Sequence, residues 1–144
     1  MKKQICQSNS EAQTRMIASN FVRQLTTGAI VLLKGNLGSG KTTFVRGVAD
    51  ALNLKPRITS PTFVLMKVYP TQYKKIKHLV HLDLYRLTTT SIVGIEDYLT
   101  AENLVLIEWP EKITSILPKQ KIKIFFKNLG ENKREIKIVP YVKK

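Results

Sequence analysis

The stretch Gly35-Asn36-Leu37-Gly38-Ser39-Gly40-Lys41-Thr42-Thr43 constrains the chain more than any other. It fits the spacing G-x-x-x-x-G-K-[ST], and its surroundings are as informative as its letters. Before it runs Ala29-Ile30-Val31-Leu32-Leu33, aliphatic and without alternation, as expected of a strand buried on both faces of a parallel sheet. After it comes a helix-like segment from Phe44 to Leu52. Glycines where the strand must turn let successive backbone N–H groups point inward, and the loop then opens a helix whose positive end faces the same point. Such a loop cradles phosphate through the backbone of Asn36, Leu37, Gly38, Ser39 and Gly40. Lys41 is then placed for the β- and γ-phosphates, the Thr42 hydroxyl for Mg²⁺ and Thr43 for the α-phosphate.

With 144 residues, the expectation is one domain with one layered core. Met1-Lys2-Lys3 leads directly into polar residues, no apolar run reaches membrane-spanning length, and the single Cys6 cannot form an internal disulfide. These features predict a cytoplasmic protein with no membrane association, and Cys6 reads as a small apolar residue in an initial strand. A net charge of +14 favours contact with nucleic acid or an acidic surface. Lysines gather at Lys74, Lys75 and Lys77 and along Lys119, Lys121, Lys123 and Lys127. Charge alone does not separate a tRNA-binding patch from a solvated, lysine-rich face.

The remaining elements follow in order. A short strand is predicted over Lys3 to Gln7. Ser10-Glu11-Ala12-Gln13 has the form of a capping box, and Ile17, Phe21 and Leu25 recur at helical spacing, predicting a helix over 10–25 that covers the Leu33 strand. The hydroxyl-rich Thr59-Ser60-Pro61-Thr62 leads into a strand reaching Tyr69. Leu79 to Tyr85 reads as its antiparallel partner across a polar connection, Pro70 to Lys77. A short helix is predicted around Ser91 to Leu99, a buried strand over Leu104 to Ile107 ending on Glu108, and two last strands over Lys121–Lys127 and Arg134–Val139 flanking a turn from Asn128 to Asn132. The fold class is α/β, a three-layer P-loop NTPase-like domain with a mixed parallel and antiparallel sheet.

In such sheets ligands bind beyond the carboxyl ends of the strands, which singles out Glu108 and Asp83. Mg²⁺ takes few protein oxygens beside phosphate, so Thr42 and a strand-end Glu108 suit it. Hydrolysis needs a group to orient water, for which Asp83 is the candidate, with Thr62 as a switch-like hydroxyl. Asp83 pairing with Arg86 and Thr62 merely starting a strand are the structural alternatives. His78, His81 and Asp83 lack a fourth ligand at sensible spacing, which argues against a transition-metal site. Trp109 reads as a packing aromatic, with a nucleotide-reporting position as the sharper alternative.

Taken together, G-N-L-G-S-G-K-T-T, T-S-P-T-F, H-L-D-L-Y-R and V-L-I-E-W-P-E closely resemble the bacterial TsaE (YjeE) family of P-loop ATPases. The resemblance implies an ATP- and Mg²⁺-dependent ATPase. In that family it works with TsaD and TsaB to make threonylcarbamoyladenosine beside the anticodon of tRNAs that read codons beginning with A. It implies a metal-associated Glu108, switch residues Asp83 and Thr62, and further nucleotide-site positions at Glu11, Arg134 and Glu111. The chain departs from the family pattern between Arg86 and Gly94, where Leu87-Thr88-Thr89-Thr90-Ser91-Ile92-Val93 replaces an acidic helix. Two other classes share the loop: a small-molecule or nucleotide kinase, and a basic nucleic-acid-binding ATPase module.

Overall fold

The computed structural model describes residues 1–54, 65–87 and 94–143. Thr62, the start of the Thr59 strand and the Ser91–Val93 portion of the expected helix lie outside the described residues. Most of the Arg86–Gly94 departure does too.

Seven strands form one sheet: β1 (Gln4–Ser8), β2 (Ala29–Lys34), β3 (Met66–Tyr73), β4 (Ile76–Asp83), β5 (Asn103–Glu108), β6 (Ile122–Gly130) and β7 (Lys133–Val139). Their spatial order is β1-β7-β6-β2-β5-β4-β3. The central four, β6, β2, β5 and β4, run parallel, while β3 at one edge and β7 at the other side are antiparallel additions. That mixture matches the expected α/β class. The unalternating sequences of β2 and β5 are explained by burial on both faces, and every residue of β5 is buried.

Two helices, α1 (Glu11–Gln24) and α2 (Lys41–Ala51), pack on one face of the sheet. Ala18, Phe21 and Val22 of α1 and Phe44, Val45 and Val48 of α2 join Val31, Leu33, Leu106, Ile124 and Ile136 in the larger core. On the other face Ile30, Leu32, Val80, Leu82, Val105 and Ile107 are covered by a 3-10 turn, Ile95–Tyr98, and a 3-10 stretch, Pro110–Ile116, broken at Ile113. Among the described residues the third layer is therefore made of short turns.

The cap of α1 forms as its sequence implies, with one shift. The Ser10 hydroxyl accepts the Gln13 N–H at 3.1 Å, while the Gln13 side chain reaches past the cap to accept the Asn9 N–H at 2.6 Å. Pro70 to Lys77 is not a loop. β3 continues to Tyr73, β4 starts at Ile76, and the reversal is confined to Lys74 (φ 52) and Lys75. Pro70 is tolerated because β3 is an edge strand, and the pairing shifts register just after it. In the described part of the expected helix, Ile95–Tyr98 forms a single 3-10 turn entered through Gly94 (φ 84). The last hairpin is tighter than expected, since β6 runs on to Gly130 and β7 begins at Lys133.

Candidate functional site

β2 delivers the glycine-rich loop to the carboxyl end of the sheet. A Cβ on Gly35 would lie 2.6 Å from the Ser39 hydroxyl and 2.8 Å from the Phe126 carbonyl, so only glycine lets the chain turn there. Gly40 (φ 101) then caps α2 with no side-chain hydrogen bond of its own. The first N–H groups of the eleven-residue helix are left to the cleft, three turns of aligned peptide dipoles behind them.

Lys41 is only 5% exposed. Its ammonium donates to the Gly35 carbonyl and sits 4.2 Å from the centre of the Trp109 ring. Burial lowers its pKa below the usual lysine value, against the opposing pull of the Glu108, Asp83 and Glu111 carboxylates. Trp109, held at φ 57 and packed against the tilted Tyr85 ring with centres 5.0 Å apart, walls the cleft above the ammonium.

Strand register assembles the acids. Leu33, Glu108 and Asp83 are successive partners across β2, β5 and β4, so both carboxylates end up in one row beside the loop. Alternation along β4 and β5 aims them at the face that carries α2, as it does Leu106 and Leu79 of the larger core. Glu108 is 3% exposed, and its Oε2 accepts a 2.7 Å hydrogen bond from Nε2 of His81, itself fully buried. Asp83 accepts the Tyr85 N–H at 3.1 Å, closing the turn that ends β4.

A cleft of about 300 Å³ gathers Glu11, Leu37, Gly38, Ser39, Gly40, Lys41, Thr42, Thr43, Asp83, Glu108, Trp109 and Arg134. Thus most of the residues singled out in the sequence meet at one place. Asn36 and Glu111 do not line it. Glu111 instead pairs with Lys34 at 3.5 Å on the rim. Arg134 comes from β7 on the far side of β6, and its Nε would stand 3.4 Å from a Cβ on Gly40. His81, weighed in the sequence only as a metal ligand, has a role there that sequence reasoning missed, because its partner Glu108 lies twenty-seven positions away. The available signal was its place two residues before Asp83, hence on the same face of β4.

These residues fit a phosphate group. Positive φ at Gly38 and Gly40, a desolvated lysine and the buried Ser39 hydroxyl, without a partner among the described residues, together make a cradle for an anion. They also fit Mg²⁺ held jointly with phosphate. Among the described residues no group of three or more His, Cys, Asp or Glu could hold a metal ion by itself, so phosphate oxygens would have to share it with Thr42 and Glu108.

Loop, helix and strand-end acids define the class: an α/β protein of the P-loop type. Residues 8–136 match the family model described as threonylcarbamoyl adenosine biosynthesis protein TsaE. The chain belongs to the TsaE family, whose role lies in tRNA threonylcarbamoyladenosine biosynthesis. It is 40% identical over 130 residues to the Rickettsia bellii tRNA threonylcarbamoyladenosine biosynthesis protein TsaE, covering 88% of each chain. With the Treponema pallidum protein of that name it shares 35% identity over 136 residues, 92% of this chain and 98% of the relative. The crystal structure of Bacillus subtilis YdiB superposes with a TM-score of 0.79 at 29% identity, over 96% of this chain and 86% of that one. Among the described residues no helix is long and apolar enough to cross a membrane.

Proposed function

We propose that this chain is a single cytoplasmic ATPase domain that binds ATP with Mg²⁺, hydrolyses it, and acts as a nucleotide-driven switch on a TsaD–TsaB type assembly. The observation that carries the reading is the Leu33–Glu108–Asp83 row, which sets two carboxylates beside the buried ammonium of Lys41 at the mouth of a phosphate-shaped loop.

The bound nucleotide supplies the phosphoanhydride, and Mg²⁺ supplies charge neutralisation. The chain's part is positioning and electrostatics. Loop N–H groups and Lys41 hold the phosphates, and Gly40, lacking a side chain, lets the backbone come close. The Thr42 hydroxyl and Glu108 offer the metal its protein oxygens, with Glu108 oriented by His81. Asp83 accepts a hydrogen bond from the attacking water and holds it in line. Thr62 is assigned the γ-phosphate-sensing hydroxyl by its motif, and Glu11 and Arg134 border the nucleotide from α1 and β7.

Mg²⁺-dependent phosphate release separates the roles. Lys41→Ala should lose both nucleotide affinity and turnover, the latter by about 10²-fold or more. Asp83→Asn should keep ATP·Mg²⁺ binding and lose turnover. Glu108→Gln should raise the Mg²⁺ concentration needed for half-maximal rate. Unchanged hydrolysis in Lys41→Ala would end the ATPase reading, and phosphate transfer to an added nucleoside would replace it with a kinase.

A further inference from the structure

The helices α1 and α2 cover one side of the β1-β7-β6 wing. On its other side, register aligns Phe125 of β6 with Lys137 of β7 and Ile5 of β1, and Lys127 with Glu135 and Gln7, while Lys123 lies beside Val139. Alternation adds Lys133 to that side. Among the described residues it stays largely open: Ile5 is 61% exposed, Lys123, Lys127 and Lys133 are exposed, and Phe125, Glu135, Lys137 and Val139 are half-buried. The packing role of these strands is met from the opposite side by Ile124, Phe126, Ile136 and Ile138. The lysines are therefore not required by the core.

The fold does not use its lysines alike, even within the two clusters that stand out in the sequence, where Lys121 donates to the Pro118 carbonyl at 2.9 Å. Lys74 donates to the Arg23 and Leu25 carbonyls at the end of α1, at 2.9 and 2.8 Å, and Lys77 pairs with Glu102 at 2.8 Å. Those charges are engaged in helix capping and an ion pair. Among the described residues Lys123, Lys127, Lys133 and Lys137 enter no salt bridge, and Glu135 is the only acid on their side of the three strands. The Lys137 ammonium instead lies 4.9 Å from the centre of the half-buried Phe125 ring.

We propose that this open face of β6, β7 and β1 is an RNA-contacting surface, with phosphates taken by Lys123, Lys127, Lys133 and Lys137 and a base stacked on Phe125. Lysines four residues apart along a strand stand about 13 Å apart, and neighbouring strands are about 4.8 Å apart, so the four ammonium groups form a field rather than a point. An aromatic ring set among cations on a sheet face is suited to unpaired bases. An acidic protein fits the composition less well, because the cores of protein interfaces are depleted in lysine. The RNA at hand in this family's pathway is tRNA. The inference rests on the family role and on this face, and not on ATP hydrolysis.

The test is binding of an unmodified tRNA transcript to the full chain between 50 and 200 mM salt, over which the Debye length falls by about half. Four neutralised phosphates predict a log–log salt slope of about −3. Lys123→Glu/Lys127→Glu/Lys137→Glu should weaken binding at least about tenfold and flatten the slope by about 2–3. Lys123→Gln/Lys127→Gln/Lys137→Gln should flatten it similarly without repulsion, with an unchanged thermal midpoint showing that the fold persists. A control of equal charge change, Lys75→Glu/Lys119→Glu/Lys143→Glu, should change affinity less than about twofold. Phe125→Leu should lose about fivefold in affinity with the slope preserved. No tRNA binding by the wild-type chain at 50 mM salt, or equal losses in the reversal and control triples, would overturn the proposal. So would a reversal triple that keeps its RNA affinity and loses association with an acidic partner protein.

Discussion

Lys41 is held in a place that costs the fold something. Its folded-state pKa lies below the ordinary 10.5, so folding disfavours the protonated form, and stability rises as pH climbs through the window between the two values. The penalty is fully present wherever pH lies below both values. Lys41→Met should therefore melt at a higher temperature than the wild type while losing nucleotide affinity, a pairing that calorimetry and nucleotide titration would check together. His81 supports the site in the opposite sense. His81→Ala strands a carboxylate that is 3% exposed, which should lower stability by about 1–3 kcal/mol and raise the Mg²⁺ requirement of hydrolysis. His81→Gln keeps an N–H donor at similar reach and should restore the Mg²⁺ response more fully than the stability. Loss of stability with an unaltered Mg²⁺ titration in both variants would make His81 a packing residue only.

At the scale of elements, the placement of α2 decides where Lys41 and Thr42 point. α1 crosses α2 at Gly47, where a Cβ would lie 2.7 Å from the Arg15 Cα and 2.7 Å from its carbonyl oxygen. Both obstacles are backbone, so the helices must separate to admit even one methyl group. Gly47→Ala should lose about 1–3 kcal/mol in denaturant unfolding and weaken nucleotide binding through the tilt of α2. The neighbouring Arg15–Asp50 ion pair bridges the same helices at 3.3 Å, but its side chains are 46% and 59% exposed. Asp50→Ala should therefore stay within about 0.5 kcal/mol of wild type. A large loss from Asp50→Ala with little from Gly47→Ala would reverse this picture of what sets the helix crossing.

For the whole molecule, the cleft at the glycine-rich loop and the open lysine face use different parts of one sheet, joined through β6 and β7. Arg134 leans over Gly40 from the helix-bearing side, while Lys133 and Lys137 of the same strand belong to the opposite side. If ATP binding switches a surface offered to a TsaD–TsaB type partner, linkage requires that the partner raise ATP affinity by the same factor that ATP raises partner affinity. Association should be tighter with a non-hydrolysable ATP analogue than with ADP, by about 5-fold or more. Sedimentation showing equal partner affinity in the two nucleotide forms would remove the switch and leave an ATPase without it.

Local pattern determined a good deal by itself. The unalternating β2 and β5, the capped α1, the glycine loop and the strand-end Glu108 and Asp83 are all legible because each depends on neighbours within a few residues. The alternating Ile and Lys of β6 and β7 likewise mark one packed side and one wet side. Tertiary structure decided the rest, because partners distant in sequence decided it. The edge position of β3 turned Pro70 to Tyr73 from an expected loop into strand. Parallel pairing of β4 with β5 brought His81 to Glu108, and the pairing of β7 with β6 brought Arg134 over the loop. Which lysines carry structure and which remain open to solvent was likewise decided there: Lys74 meets the end of α1 forty-nine residues away at Leu25, whereas Lys123 and Lys127 meet only the solvent side of their own sheet. Periodicity records which side of a strand is buried, but not which strand lies next to it, and the site is made of strands lying next to one another.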